Sequence, residues 1–234
     1  MTFVERDRLQ AALATDNPLI WVITGDSITH GLLHTQGARN YVDHLHELVR
    51  GDMARVRDVI INTGVSGDRV TQILDDFDHR VARWQPSVVT LMIGTNDAST
   101  NREEIVEPAD FEASIARFVS EVRALGAIPV LQTPPSIDVV HAPERSRIDA
   151  FVAAIRAVAV RDDVILIDQH AWFAELGNGG FPHGLMDDPF HPNPAGHAAL
   201  ALEIARVLEL RPIPERWRVL SDLESRLALG RRTG

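Results

Sequence analysis

The 234-residue chain contains no cysteine. That excludes disulfides, thiolate nucleophiles and Cys-ligated zinc together, and leaves the redox compartment undetermined. Basic residues do not cluster beyond the short Arg231-Arg232 pair, and the formal net charge is −10. Nucleic-acid binding relies on massed Lys and Arg against phosphate, so no nucleic-acid partner is expected. No uninterrupted apolar run reaches the ~18 residues of a membrane span. The opening stretch MTFVERDRLQAALATDNP carries four consecutive charges at positions 5 to 8 and no sustained apolar segment. It does not read as a signal peptide, so a cytoplasmic chain is the expectation.

With 45% hydrophobic and 24% charged residues, the composition suits a globular protein with one large core, hence a single domain over residues 1–234. Five short runs rich in Val and Ile, PLIWVIT, VRDVIIN, SVVTLMIG, AIPVLQT and DVILIDQ, predict strands buried on both faces. Helical patterns separate them. In DRVTQILDDFDHRVARW the apolar residues Val70, Ile73, Leu74, Phe77, Val81 and Trp84 recur at three and four, which predicts one continuous helix. DFEASIARFVSEVRALG has its stripe at Phe111, Ile115, Phe118, Val119, Val122 and Leu125, with Gly126 placed to close the helix. ARNYVDHLHELVRG, ERSRIDAFVAAIRAVAV and PAGHAALALEIARVL read the same way. Alternation of this kind predicts a doubly wound α/β protein, a parallel sheet with helices on both faces. Residues 211–234 carry a stripe of Trp217, Leu220, Leu223 and Leu227 and predict an appended helix that docks on the body or on a second copy of the chain. Two long segments rich in Gly or Pro, TPPSIDVVHAPE and GNGGFPHGLMDDPFHPNP, are predicted loops.

In such a sheet ligands sit at the carboxyl ends of the strands, and four polar clusters fall there: Gly25-Asp26-Ser27, NTGVSGD at 62–68, GTND at 94–97 and DDPFHPNP at 187–194. Acyl transfer by a serine needs a base beside its hydroxyl and a carboxylate to hold that base in the right tautomer. Ser27, His191 and Asp188 are the candidates. The Asp-x-x-His spacing lets one turn bring the carboxylate to the imidazole Nδ1, and Asn193 with Pro194 would start the next helix and anchor the histidine. A tetrahedral intermediate also needs donors for its oxyanion. The Ser27 amide, the Gly67 amide and the Asn96 side chain are the candidates.

The four clusters resemble, in order and spacing, the sequence blocks of the SGNH hydrolases, the GDSL esterase and lipase family. Gly25-Asp26-Ser27 is similar to the family's first block, with Ile28 where leucine is usual. Asn62 to Asp68 aligns the oxyanion glycine with Gly67, Gly94-Thr95-Asn96-Asp97 aligns the oxyanion asparagine with Asn96, and Asp188 to His191 matches the Asp-x-x-His block, with a stiffer turn because Pro189 stands within it. The resemblance spans residues 19 to about 208. It implies a three-layer α/β/α, flavodoxin-like fold with a five-stranded parallel sheet, and hydrolysis of esters without a metal or other cofactor. The G-x-S-x-G elbow of the other main serine-hydrolase fold is absent.

The expected function is therefore a serine esterase acting on a small-molecule ester, with acetyl favoured because the candidate pocket loops contain Pro, Gly, Asp and His rather than an aliphatic stripe. Lysophospholipase and thioesterase activities belong to the same family. A non-catalytic carbohydrate-binding protein on this fold would be expected to lack one of Ser27, Asn96, Asp188 or His191. A nucleotide- or flavin-binding protein is disfavoured, since GDSITHG has neither G-x-G-x-x-G nor a P-loop lysine. His44 and His46 lie two apart on a helix and make a poor metal pair. His30 and His34 would face one another only in a helical loop. Asp75-Asp76-Phe77-Asp78 reads as a solvated helix face, and His141 and His183 as loop residues at the surface.

Overall fold

The computed structural model describes residues 4–230; the Arg231-Arg232 pair lies outside them. Each of the five apolar runs contains a strand: β1 (Ile20–Gly25), β2 (Val59–Asn62), β3 (Val88–Met92), β4 (Ile128–Gln132) and β5 (Ile165–Ile167). All pairings are parallel, in the order β2-β1-β3-β4-β5. Parallel neighbours cannot be joined by hairpins, so helices cross over the faces. They are α1 (Val4–Leu13), α2 (Ser27–His30), α3 (Tyr41–Glu47), α4 (Val70–Asp75), α5 (Phe77–Arg80), α6 (Pro108–Ala124), α7 (Ile148–Arg161), α8 (Gln169–Leu176), α9 (Pro194–Val207) and α10 (Val219–Gly230).

Alternate residues of each strand supply two cores. Trp21, Ile23, Met92 and Val130 pack against Leu45 of α3 and Leu200 and Ile204 of α9. Val22, Val89, Leu91 and Leu131 pack against Ile73 of α4, Phe118 of α6 and Phe151 of α7. This is the period-two pleat expressed as a three-layer α/β/α sandwich. The strand order turns back on itself at β1, which has β2 on one side and β3 on the other. In open sheets of this kind ligands bind at such a switch point, and here Gly25 ends β1 at it.

The structure differs from the periodicity in two places. β2 is an edge strand rather than one buried on both faces: Val59 is 47% exposed, because β1 is its sole neighbour in the sheet. The helix predicted over 68–84 is three pieces, α4, α5 and a 3-10 turn at Ala82–Trp84. Asp76 leaves the helical region at φ −111° and ψ 27°. The apolar stripe still faces inward at Val70, Ile73, Leu74 and Val81. What the break accommodates is Arg80, which is buried and donates to Asp68 at 2.6 Å and to the Gly25 carbonyl at 3.3 Å. A buried guanidinium requires such partners.

α10 docks on the body. Leu223 is fully buried in the first core, with Leu220 and Leu227 packed against it, while Trp217 stays 54% exposed. Its start is pinned by Asp52, whose carboxylate accepts from the Arg218 and Val219 amides at 3.0 and 2.7 Å. Among the described residues no helix is long and apolar enough to cross a membrane.

Candidate active site

β1 ends at a glycine because nothing larger fits: a Cβ on Gly25 would lie 2.3 Å from the Met92 carbonyl oxygen and 2.4 Å from Thr29 Oγ1. The chain then turns tightly into α2. Asp26 caps this turn by accepting from the Ile28 amide at 3.0 Å, and Ser27 follows as the first helical residue, half-buried.

On the other side, α9 is started as its sequence requires. Asn193 accepts from the Ala195 and Gly196 amides at 2.9 and 3.1 Å, and Pro194 holds the first helical position. The loop before it is fixed by the Asp187 amide donating to the His191 carbonyl at 2.8 Å. One Asp188 oxygen accepts from the Phe190 and His191 amides at 2.9 and 2.7 Å. Pro189 is accommodated within this turn. The other Asp188 oxygen lies 2.7 Å from His191 Nδ1, and His191 Nε2 lies 2.8 Å from Ser27 Oγ.

Burial alone would raise the Asp188 pKa, but the hydrogen bonds from the His191 side chain and the two amides outweigh it and hold the carboxyl down at about 2. An ionised Asp188 accepts only, so the proton sits on His191 Nδ1 and donates to it. Nε2 is thereby left to accept from the Ser27 hydroxyl.

The candidate donors stand on the same rim. Neither the Ser27 nor the Gly67 amide donates to any acceptor among the described residues. Gly67 sits at φ +88°, where a side chain would be strained. Asn96 gives one side-chain N–H to the Asp68 carbonyl at 3.1 Å, and its oxygen accepts from Arg102 at 3.2 Å. This fixes which way the amide faces and leaves its second N–H unspent.

Two carboxyls that periodicity did not reveal as buried are Asp26 and Asp97. Burial pushes both Asp26 and Asp97 up to about 7, against the hydrogen bonds each accepts from backbone amides. Asp97 accepts from the Val70 amide at 3.0 Å, tying β3 to the start of α4, and its second oxygen has no partner among the described residues. A folded-state pKa above the unfolded value of 3.8 means that the folded protein binds the extra proton. The resulting stability is complete below about pH 4 and lost as pH rises through about 7. Asp97→Asn keeps the acceptor and removes the titration. Its unfolding free energy is expected to gain on the wild type between pH 4 and pH 8, by on the order of 3 kcal/mol. Urea unfolding at the two pH values checks this, and an unchanged difference contradicts it.

The other histidines separate. His30 meets Ser66 at 3.2 Å, His44 is buried, and His141 pairs with Asp138 at the surface. His34 is the residue whose place no sequence pattern marked: its ring stacks on His191 with centroids 3.7 Å apart and planes 6° from parallel. His34, Asp188 and His191 each offer a ligand atom within 4.8 Å of the others. Parallel stacked rings, however, hold their lone pairs side by side rather than converging, and Asp188 and His191 Nδ1 are already spent on one another.

A five-stranded parallel sheet in the order β2-β1-β3-β4-β5 between two helical layers is the SGNH hydrolase fold. The chain belongs to the GDSL-like Lipase/Acylhydrolase family, whose model matches residues 23–199, and is a carboxylic ester hydrolase. It is 27% identical over 197 residues to an acetylxylan esterase of Geobacillus stearothermophilus, a match covering 78% of this chain and 90% of that protein. Among solved structures it is similar to LAE5, an alpha/beta hydrolase enzyme from the metagenome of Lake Arreo, Spain. The TM-score is 0.71 at 25% identity, over 82% of this chain and 95% of that one. Axe2, an acetylxylan esterase from Geobacillus stearothermophilus, superposes with a TM-score of 0.70 at 24% identity, over 81% of this chain and 94% of that one, and shares the fold.

Proposed function

We propose that the chain is a serine esterase that releases short acyl groups, acetyl first, from carbohydrate esters. The observation that carries this reading is the unbroken relay from Ser27 Oγ through His191 to Asp188, at 2.8 and 2.7 Å. In it Ser27 attacks the ester carbonyl while His191 Nε2 takes the hydroxyl proton. The carbonyl oxygen, now negative, accepts from the Ser27 and Gly67 amides and the free N–H of Asn96. Each such donor is worth roughly 10²- to 10³-fold in rate. Asp188 orients His191 and stabilises its positive form. His191 then gives its proton to the leaving alcohol, water takes the alcohol's place with His191 again as base, and the acyl group leaves as a carboxylic acid.

Two observations support acetyl. A relative at 27% identity bears the name acetylxylan esterase, and the loops at the strand ends offer Pro, Gly, Asp and His in place of an aliphatic stripe. The test is a p-nitrophenyl ester series from acetate to dodecanoate, followed by acetylated xylo-oligosaccharides. The value of kcat/KM is expected to be highest for acetate and at least about tenfold lower by octanoate, with acetate released from the oligosaccharide. A profile rising toward dodecanoate overturns the acetyl assignment in favour of a lipase-like role.

A further inference from the structure

The loop carrying His191 holds two acidic residues in a row, and each pairs with a different imidazole. Asp188 holds His191; Asp187 holds His34 Nδ1 at 2.8 Å through one oxygen and Gln36 at 2.8 Å through the other. The His34 ring lies flat on the His191 ring, with centroids 3.7 Å apart and planes 6° from parallel. Phe190 also touches His191, its ring tilted by 46° with centroids 4.4 Å apart, and the Arg145 guanidinium lies over Phe190 at 3.6 Å from its ring centroid. A ring free to swing about its side-chain torsions would lose alignment with Ser27, and a displacement of about 1 Å at a reacting group costs on the order of 10²-fold in rate.

We propose that His34 is a positioning residue for His191: anchored by Asp187, it acts as the wall that fixes the plane of the base and covers the face of its imidazolium. The proposal rests on the reading of His191 as general base. The stacked His34 ring covers one face of the imidazolium that His191 becomes when it takes the Ser27 proton. The groups in contact with His34 are Asp187, Asp188 at 3.8 Å and His191, and the buried His197 on α9 lies near enough to feel its charge. Burial, reinforced by His44, His191 and His34, pushes His197 down to about 3, so it stays neutral over the working range.

The test compares His34→Ala and His34→Phe with the wild type on p-nitrophenyl acetate from pH 5 to pH 9, alongside Ser27→Ala. His34→Ala is expected to lose at least about tenfold in kcat with KM changed less than about twofold, because the wall acts on the base and not on substrate. His34→Phe restores a flat ring at that place. It is expected to recover kcat at pH 8 to within about threefold of the wild type. Wild-type kcat in His34→Ala would overturn the proposal. So would a Phe variant as slow as the Ala variant, which would assign the effect to the nitrogens rather than the stack. If His34→Ala does not fold, His34→Phe decides alone: kcat within about threefold of the wild type supports the wall, and a loss of about tenfold or more overturns it. Failure of the underlying reading looks different: Ser27→Ala itself would then remain active.

Discussion

Ser27→Ala is expected to lower kcat for p-nitrophenyl acetate by at least about 10⁴-fold while leaving the thermal unfolding transition nearly unchanged. The size follows from how the parts act together. Removing the nucleophile of a serine triad costs about as much as removing the whole relay, and the residual rate comes from binding and oxyanion donors alone. The neutrality toward folding follows from the position. Ser27 is half-buried, and its one side-chain hydrogen bond among the described residues is to His191. The cap of α2 belongs to Asp26 and the tight turn to Gly25. Deleting one oxygen therefore removes chemistry and little else. Steady-state rates on the purified variant, with circular dichroism to confirm the fold, give the result. A variant within tenfold of the wild type would remove Ser27 from the mechanism.

Asp188→Asn is expected to cost about 10⁴-fold in kcat, an effect produced by a tautomer and not by a lost contact. One Asp188 oxygen already accepts two backbone amides, so the asparagine oxygen is held there and its NH2 group is turned toward His191 Nδ1. That nitrogen must then accept, the ring proton moves to Nε2, and the nitrogen facing Ser27 becomes a donor that cannot take the hydroxyl proton. The wild-type carboxyl, held at about 2 by the His191 hydrogen bond and the two amides against the effect of burial, stays ionised at any pH at which the protein works. Its contribution to stability is present above the unfolded value of 3.8 and is lost only as pH falls through about 2. The rate loss in Asp188→Asn should accordingly be the same at pH 7 and pH 9. A loss that shrank at the higher pH would point instead to an altered pKa as its origin.

The parts of the molecule that were legible in the sequence are those where one residue type is forced. Strands β1, β3 and β4 announce themselves because both faces are buried and their positions are mostly apolar, the few polar ones, such as Thr90 and Gln132, being bonded to each other. Gly126, at φ +77°, closes α6 where only an unhindered backbone turns easily. Asn193-Pro194 can hardly be anything but a helix start. What escaped depends on partners distant in the chain. The helix predicted over 68–84 contains neither glycine nor proline. It breaks where Arg80 reaches Asp68 and Gly25, a requirement set by burying a cation that local periodicity does not encode. The exposure of β2 follows from strand order, which alternation of strands and helices leaves open.

At the site, the four rim clusters were legible from their order, and the structure brings Ser27, His191 and Asp188 into one hydrogen-bonded row. Arg102 and His34 were not legible: Arg102 reaches back to Asn96 within its own irregular loop, where no periodicity applies, and His34 meets His191, which another loop supplies. Asp26 and Asp97 look like ordinary turn acids in the sequence. Only the fold buries them, Asp26 at the start of α2 and Asp97 against the start of α4, and burial is what raises both pKa values.

The most direct test of Ser27 as nucleophile is covalent capture. The protein would be treated with a fluorophosphonate, digested and mapped by mass spectrometry, in the wild type and in Ser27→Ala. One phosphonyl group per chain is expected, on Ser27, with loss of esterase activity in step with labelling and no label on the variant. Stoichiometric labelling at another residue, or full activity retained by the labelled protein, would contradict it.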